Sequence, residues 1–169
     1  ADILSERGDL DKALRLLRVE VLAAFERLGD VRSRAVTLGK IANILSARGD
    51  LDEALRIRKE EELPVYEKLG DVRERAVTMG KIANILSARG DLDEALRILR
   101  EEVLPGCESL GYARELLVGR ANAAIVLGKR NAPGDREEAK RLLLLALDAA
   151  RRLKIPEAEQ IEGMLRDFE

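Results

Sequence analysis

Residues Asp30 to Ile57 read DVRSRAVTLGKIANILSARGDLDEALRI, and Asp71 to Ile98 read DVRERAVTMGKIANILSARGDLDEALRI, an offset of 41 residues with only Ser33/Glu74 and Leu38/Met79 changed. Self-similarity at a fixed period of this size restricts a chain to repeat architectures, in which a unit cannot bury its apolar face alone and does so against its neighbours. Glycines at 8, 29, 49, 70, 90 and 111 divide the sequence alternately every 21 and 20 residues. Two helices per period fit between them.

The apolar spacing supports this. In the first helix of a unit, about Arg73 to Arg89, Ala76, Met79, Ile82, Ala83 and Leu86 recur at three- and four-residue steps and form one face. In the second, about Leu92 to Leu110, the stripe is Leu92, Ala95, Leu96, Leu99, Val103 and Cys107, although Arg58 stands in the place of Leu99 one period earlier. A lone helical hairpin would leave both faces wet. Stacked hairpins cover them.

Boundary signals recur too. Gly49 and Gly90 are placed to end the first helices in a left-handed conformation. Asp50 with Glu53, and Asp91 with Glu94, have the spacing of a capping box, and Asp135 with Glu138 repeats it. Asp30 and Asp71 cap the next first helices by the same logic. The tripeptide Arg-Gly-Asp, present at Arg7, Arg48 and Arg89, therefore reads as a helix end, a turn and a helix start rather than as an adhesion ligand. Pro64 and Pro105 fall inside second-helix patterns, where the missing amide predicts a bend or bulge; Ala23 occupies the same position in the first unit, so proline is not required for it.

The units are 1–29 (truncated), 30–70, 71–111 and a divergent 112–154, with a terminal capping helix over 156–169, all within a single repeat domain 1–169. Pro156 starts that last helix, and Ala158, Ile161, Leu165 and Phe168 form its apolar face. The abrupt start is expected to expose Ile3 and Leu4, a route to self-association through open ends, and suggests a cut through a longer array. Leu142 to Leu145 are too short a run to span a membrane and are expected to lie between neighbours on both sides.

Composition narrows the chemistry. Histidine is absent and Cys107 is the only cysteine, which leaves no Cys/His pair, no Ser/His/Asp set and no zinc cluster; Cys107 reads as core. No cofactor and no metal is expected, and the chain is not expected to be an enzyme. The consecutive carboxylates Glu60 to Glu62 point in different directions and are expected to face solvent. With 30 basic and 32 acidic residues the chain lacks the unopposed basic field that nucleic acid requires, and it has no aromatic ladder for single strands. No membrane segment or leader is read, and the lone cysteine fits a reducing, cytoplasmic setting.

The combination of LGD, a small-residue-rich first helix ending GKIANILSARGD, and the following DEAL resembles the tetratricopeptide repeat family, particularly its longer forms with about 40 residues per unit. Ala42, Gly49 and Ala54, and again Ala83, Gly90 and Ala95, fall on its small-residue landmarks. The resemblance implies an all-α, right-handed α-solenoid of stacked antiparallel helical hairpins. It also implies a non-catalytic scaffold whose concave face, lined by first helices, takes a peptide or protein. Carried over residue by residue, the groove is Val36, Gly39, Lys40, Asn43, Ser46 and Ala47 in one unit and Val77, Gly80, Lys81, Asn84, Ser87 and Ala88 in the next. An Asn amide in such a groove can bond both the N–H and the C=O of an extended ligand. Ile125 stands where Asn84 would recur, so a uniform clamp is not expected. The alternative is a structural or regulatory arm of a larger enzyme or signalling protein.

Overall fold

A computed structural model describes residues 2–167, with side chains from residue 9 to residue 167, and the regular structure within that range is helical. The expectations for Ile3, Leu4 and Phe168 concern side chains outside the described residues. In chain order the elements are α1 (Asp2–Leu16), α2 (Leu22–Leu28), α3 (Val31–Arg48), α4 (Leu51–Arg56), α5 (Leu63–Leu69) and α6 (Val72–Arg89). They continue with α7 (Leu92–Ile98), α8 (Leu104–Ser109), α9 (Ala113–Arg130), α10 (Asp135–Leu153) and α11 (Glu157–Arg166).

Three π-helical turns, Leu17–Val21, Ile57–Glu62 and Leu99–Val103, join α1 to α2, α4 to α5 and α7 to α8 without breaking the rod. Across them the amides of Leu22, Leu63 and Leu104 donate five residues back, to the carbonyls of Leu17, Arg58 and Leu99. A π turn accommodates one inserted residue, which explains the uneven glycine spacing. The 21-residue halves contain a π turn, whereas the 20-residue halves and the stretch 134–154 do not. Pro64 and Pro105 sit in the first turns of α5 and α8, just after the bulge, where a missing amide is tolerated. The first unit makes the same turn with Ala23, so the insertion and not the proline is common to all three.

Gly49 (φ 88) and Gly90 (φ 94) end α3 and α6 in the left-handed region, as expected. The first glycine behaves differently: α1 runs through Gly8 unbroken, so the turn expected there is not made.

The capping expectation divides. Asp30 accepts the Ser33 amide at 2.9 Å, and Asp71 accepts the Glu74 amide at 3.1 Å. Asp50 and Asp91 occupy the cap positions of α4 and α7, yet their carboxylates make no capping bond. Each turns back to the arginine of its own Arg-Gly-Asp, Arg48 and Arg89, at 3.2 Å. Glu53 and Glu94, expected to reach back to the cap amide, instead accept two bonds each from Arg56 and Arg97. At Asp71 the two roles coexist, one oxygen accepting from Arg32 while the other keeps the Glu74 amide. Asp135 likewise is the first residue of α10 rather than its cap, and takes two bonds from Arg130 and one from the Ala132 amide.

The chain forms two compact units, Ala1–Thr78 and Met79–Glu169. In the first, α3 packs on α4, α5 and the π turn between them. Ala35, Leu38, Ile41, Ala42 and Leu45 are buried there with Ala54, Leu55, Ile57 and Tyr66. In the second, α9 packs on α7, α8 and α10, and α10 on α11, burying Leu99, Cys107, Leu117, Leu127, Leu143 and Ile161. The run Leu142 to Leu145 is not enclosed on both sides: Leu142 and Leu143 are buried, but Leu144 and Leu145 are exposed. A helix surrounded on one side only has room for two of four consecutive side chains.

Candidate functional site

On α3, Val36, Lys40, Asn43 and Ala47 are exposed at steps of three and four residues, which places them on one face. The opposite face of the same helix supplies the core. On α6, Lys81, Asn84 and Ala88 are exposed in the same register, with Val77 half-buried. The other members of the expected groove lie deeper. Gly39, Gly80 and Ser87 are buried and Ser46 is half-buried, its hydroxyl donating to the Ala42 carbonyl. Ser87 accepts from Lys129 Nζ at 3.3 Å.

Beneath the α3 face lies a group that sequence reasoning did not assemble. Arg58 and Glu62, on the π turn, are 3% and 5% exposed and pair through Arg58 Nη1 and Glu62 Oε2 at 2.6 Å. Glu62 is therefore not solvent-facing, unlike Glu60: the π turn rotates it inward against α3, where Arg58 compensates its charge. Arg58 Nη2 donates to the Asn43 Oδ1 at 2.7 Å and to the Gly39 carbonyl at 3.2 Å. The Thr78 hydroxyl donates to Glu62 Oε1 at 3.3 Å. A guanidinium has only donors, so the oxygen of the Asn43 amide must face it and the NH₂ is the half left to face outward.

Electrostatics follow from burial. Loss of water pushes the Glu62 carboxyl upward, against the charge of Arg58 and the bonds from Thr78 and Arg58. The same burial lowers the Arg58 guanidinium from its ordinary value, opposed by Glu62. Tyr66 lies in the same core, and burial, followed by the Glu62 charge, pushes its phenol up to about 12. Arg58 Nε is buried without an acceptor, an omission that costs about 1–3 kcal/mol. Taken with the desolvation of both charges, the pair is poorly suited to adding net stability.

A signal for this group was present in the sequence. Arg58 and Glu62 are four residues apart and opposite in charge, where the neighbouring units carry Leu17/Val21 and Leu99/Val103. Their burial depended on the π turn, which sets the angle of the two side chains.

Among the described residues no group of three or more His, Cys, Asp or Glu is arranged to hold a metal ion, and no helix is long and apolar enough to cross a membrane. What remains as a site is a helical face in a repeat fold.

Comparison with known proteins identifies the class. Family profiles described as "Tetratricopeptide repeat" match residues 33–103 and 1–18. The chain belongs to the tetratricopeptide repeat family, within the all-α solenoid class. It is similar in fold to the crystal structure of a candidate kinesin light chain from Podosopora anserina with nearly identical TPR-like repeats. The identity is 17% and the TM-score 0.53, over 96% of this chain and 88% of that one. The structure of a single-substitution variant of that same protein matches with the same identity, coverage and TM-score. No curated protein matches the sequence. Repeats of this family generally mediate protein–protein interaction, and the fold is typically a non-enzymatic scaffold.

Proposed function

We propose that the chain is a non-catalytic scaffold that binds a peptide or protein on the exposed faces of its first helices. The binding residues are Val36, Lys40, Asn43 and Ala47 on α3, with Val77, Lys81, Asn84 and Ala88 on α6. The buried Gly39, Gly80 and Ser87 and the half-buried Ser46 support those faces from below. The observation that supports this reading is that the α3 face combines a cation, an amide whose oxygen is taken by Arg58 and whose NH₂ is left outward, and two small or branched apolar side chains. An extended ligand offers carbonyl oxygens to such donors and a backbone narrow enough to approach Ala47. A reducing, cytoplasmic setting belongs to the same reading, supported by a single cysteine that is buried.

Pull-down from native lysate tests it. Asn43→Asp is the informative variant, because aspartate keeps an oxygen for Arg58 while replacing the outward donor by an acceptor. Together with Asn84→Asp, it is expected to reduce retention of a specific partner at least several-fold. Unchanged retention with an unaltered helical spectrum would remove the groove assignment.

A further inference from the structure

The π turn of the second helix forms in three units with different residue pairs. Leu17 and Val21 occupy it in one, Arg58 and Glu62 in the next, and Leu99 and Val103 in the third. Two apolar pairs make the same turn, so the turn does not need the charges. Stability does not need them either, since burying both ions is costly and Arg58 Nε finds no acceptor. What the charged pair does, and leucine and valine cannot, is bond a side chain on the α3 face.

Four side chains form one line of hydrogen bonds. The Thr78 hydroxyl donates to Glu62, Glu62 accepts from Arg58, and Arg58 Nη2 donates to Asn43 Oδ1 at 2.7 Å. The first three are buried, and Asn43 is exposed. Arg58 Nη2 also donates to the Gly39 carbonyl at 3.2 Å, one turn before Asn43 on the same helix, so the guanidinium is fixed relative to the backbone that carries the amide. A network in which each member is held by the next leaves its last member little freedom.

An unheld asparagine presents its oxygen and its NH₂ side by side, and can pair with both the C=O and the N–H that an extended residue shows on one edge. Asn43 lacks that choice. Its oxygen is turned in to Arg58, and only a donor is left outside. Forty-one residues on, Asn84 stands on α6 with Leu99 in the place of Arg58, and a leucine has no hydrogen bond to give.

We propose that Arg58 is a positioning residue for the binding face of α3: by holding the Asn43 oxygen it makes that position a donor only, so the face reads the carbonyl of its ligand and makes no use of the N–H. The face of α6 carries no such restriction. At the ligand residue that meets Asn43, a proline or an ester is therefore accepted as readily as an ordinary amide, because each keeps the carbonyl. This inference rests on the binding face proposed above and adds which half of the peptide group that face recognises.

The test uses a peptide selected from a random library on the immobilised full chain, chosen because Asn43→Asp weakens its binding. Each of its amides is replaced in turn by an ester, which exchanges one N–H for an oxygen and keeps that residue's own carbonyl. Every form is titrated against the wild type and against Arg58→Leu combined with Glu62→Val, which installs the apolar pair of the neighbouring units. The double variant is expected to keep its helical content and to show one ester position whose affinity falls at least several-fold, while the wild type binds ester and parent alike there. The same ester profile on both chains would overturn the positioning role and leave the binding face in place. If no selected peptide responds to Asn43→Asp, the binding face itself is lost, and this inference with it. Should the double variant unfold, the wild type alone decides: nitrogen relaxation of the side-chain amides is expected to show Asn43 more rigid than Asn84, and equal mobility would overturn the proposal.

Discussion

Gly39 and Gly80 occupy the same place in two nearly identical helices, and the structure assigns opposite signs to the same substitution at each. Gly80→Ala adds a methyl group that meets nothing within 4 Å. In a helix interior the exchange is worth about 1 kcal/mol in favour of alanine. Gly39→Ala starts from the same gain, but its Cβ would stand 2.6 Å from Glu62 Oε1 and 3.2 Å from Glu62 Cδ. An exposed glutamate would swing aside at little cost. Glu62 is held at one oxygen by Thr78 and at the other by Arg58, so moving it gives up at least one buried bond to a charged group. Such a bond is worth about 1.5–3 kcal/mol. Gly39→Ala should therefore destabilise by roughly 0.5–2 kcal/mol while Gly80→Ala stabilises by about 1, a gap of roughly 1.5–3 kcal/mol. At about 2–4 °C per kcal/mol for a chain of this size, thermal melts followed by circular dichroism would separate the variants by roughly 3–12 °C. In the Arg58→Leu, Glu62→Val background the penalty should vanish and Gly39→Ala should stabilise as Gly80→Ala does. Equal stabilisation by both alanines in the wild-type background would refute the placement of Glu62 against α3, and with it the buried pair.

Two further outcomes are expected. Hydrogen bonds from Arg130, with the Ala132 amide, hold the Asp135 carboxyl down to about 2 from an ordinary 3.8; Asp30 and Asp71 are lowered too, chiefly by the Ser33 and Glu74 amides. A depressed carboxylate stabilises the native state above the unfolded value, and that contribution fades as pH falls from about 3.8 towards 2. Urea unfolding across that range should show a shallower pH slope for Asp135→Asn than for the wild type, and identical slopes would count against the Arg130–Asp135 pair. Cys107 is fully buried, and burial pushes its thiol up. Its reaction with a disulfide reagent should be at least a hundredfold slower in buffer than in urea, and equal rates would contradict its place in the core.

The Arg-Gly-Asp turns show where legibility stopped. Glycine spacing located the ends of α3 and α6, because a left-handed residue is a local requirement that only a few residue types meet cheaply. The following aspartates were read as caps from the same stretch, correctly for Asp30 and Asp71 and incorrectly for Asp50 and Asp91. The difference is not in the aspartate. Nor does a nearby guanidinium decide it alone: Arg48 and Arg89 hold Asp50 and Asp91, whereas Asp71 accepts from Arg32 and still caps the Glu74 amide. Val36, Lys40, Asn43 and Ala47 came from the family resemblance and are exposed, whereas Gly39 from the same set is buried; the outward turn of the Asn43 NH₂ followed from Arg58, fifteen residues away.

By itself, then, the sequence determined the helices, their pairing period and even the inserted residue that becomes each π turn, because periodicity, glycine placement and count act over a few residues. The tertiary structure decided the fate of the charges. Whether Glu62 faces water or Arg58, and whether Asp50 caps a helix or binds an arginine, depends on the donors that folding brings within about 3 Å. The partners are close in sequence, Arg48 with Asp50 and Arg58 with Glu62, so the local pattern offers the pairs and the packed conformation decides which donor each carboxylate takes.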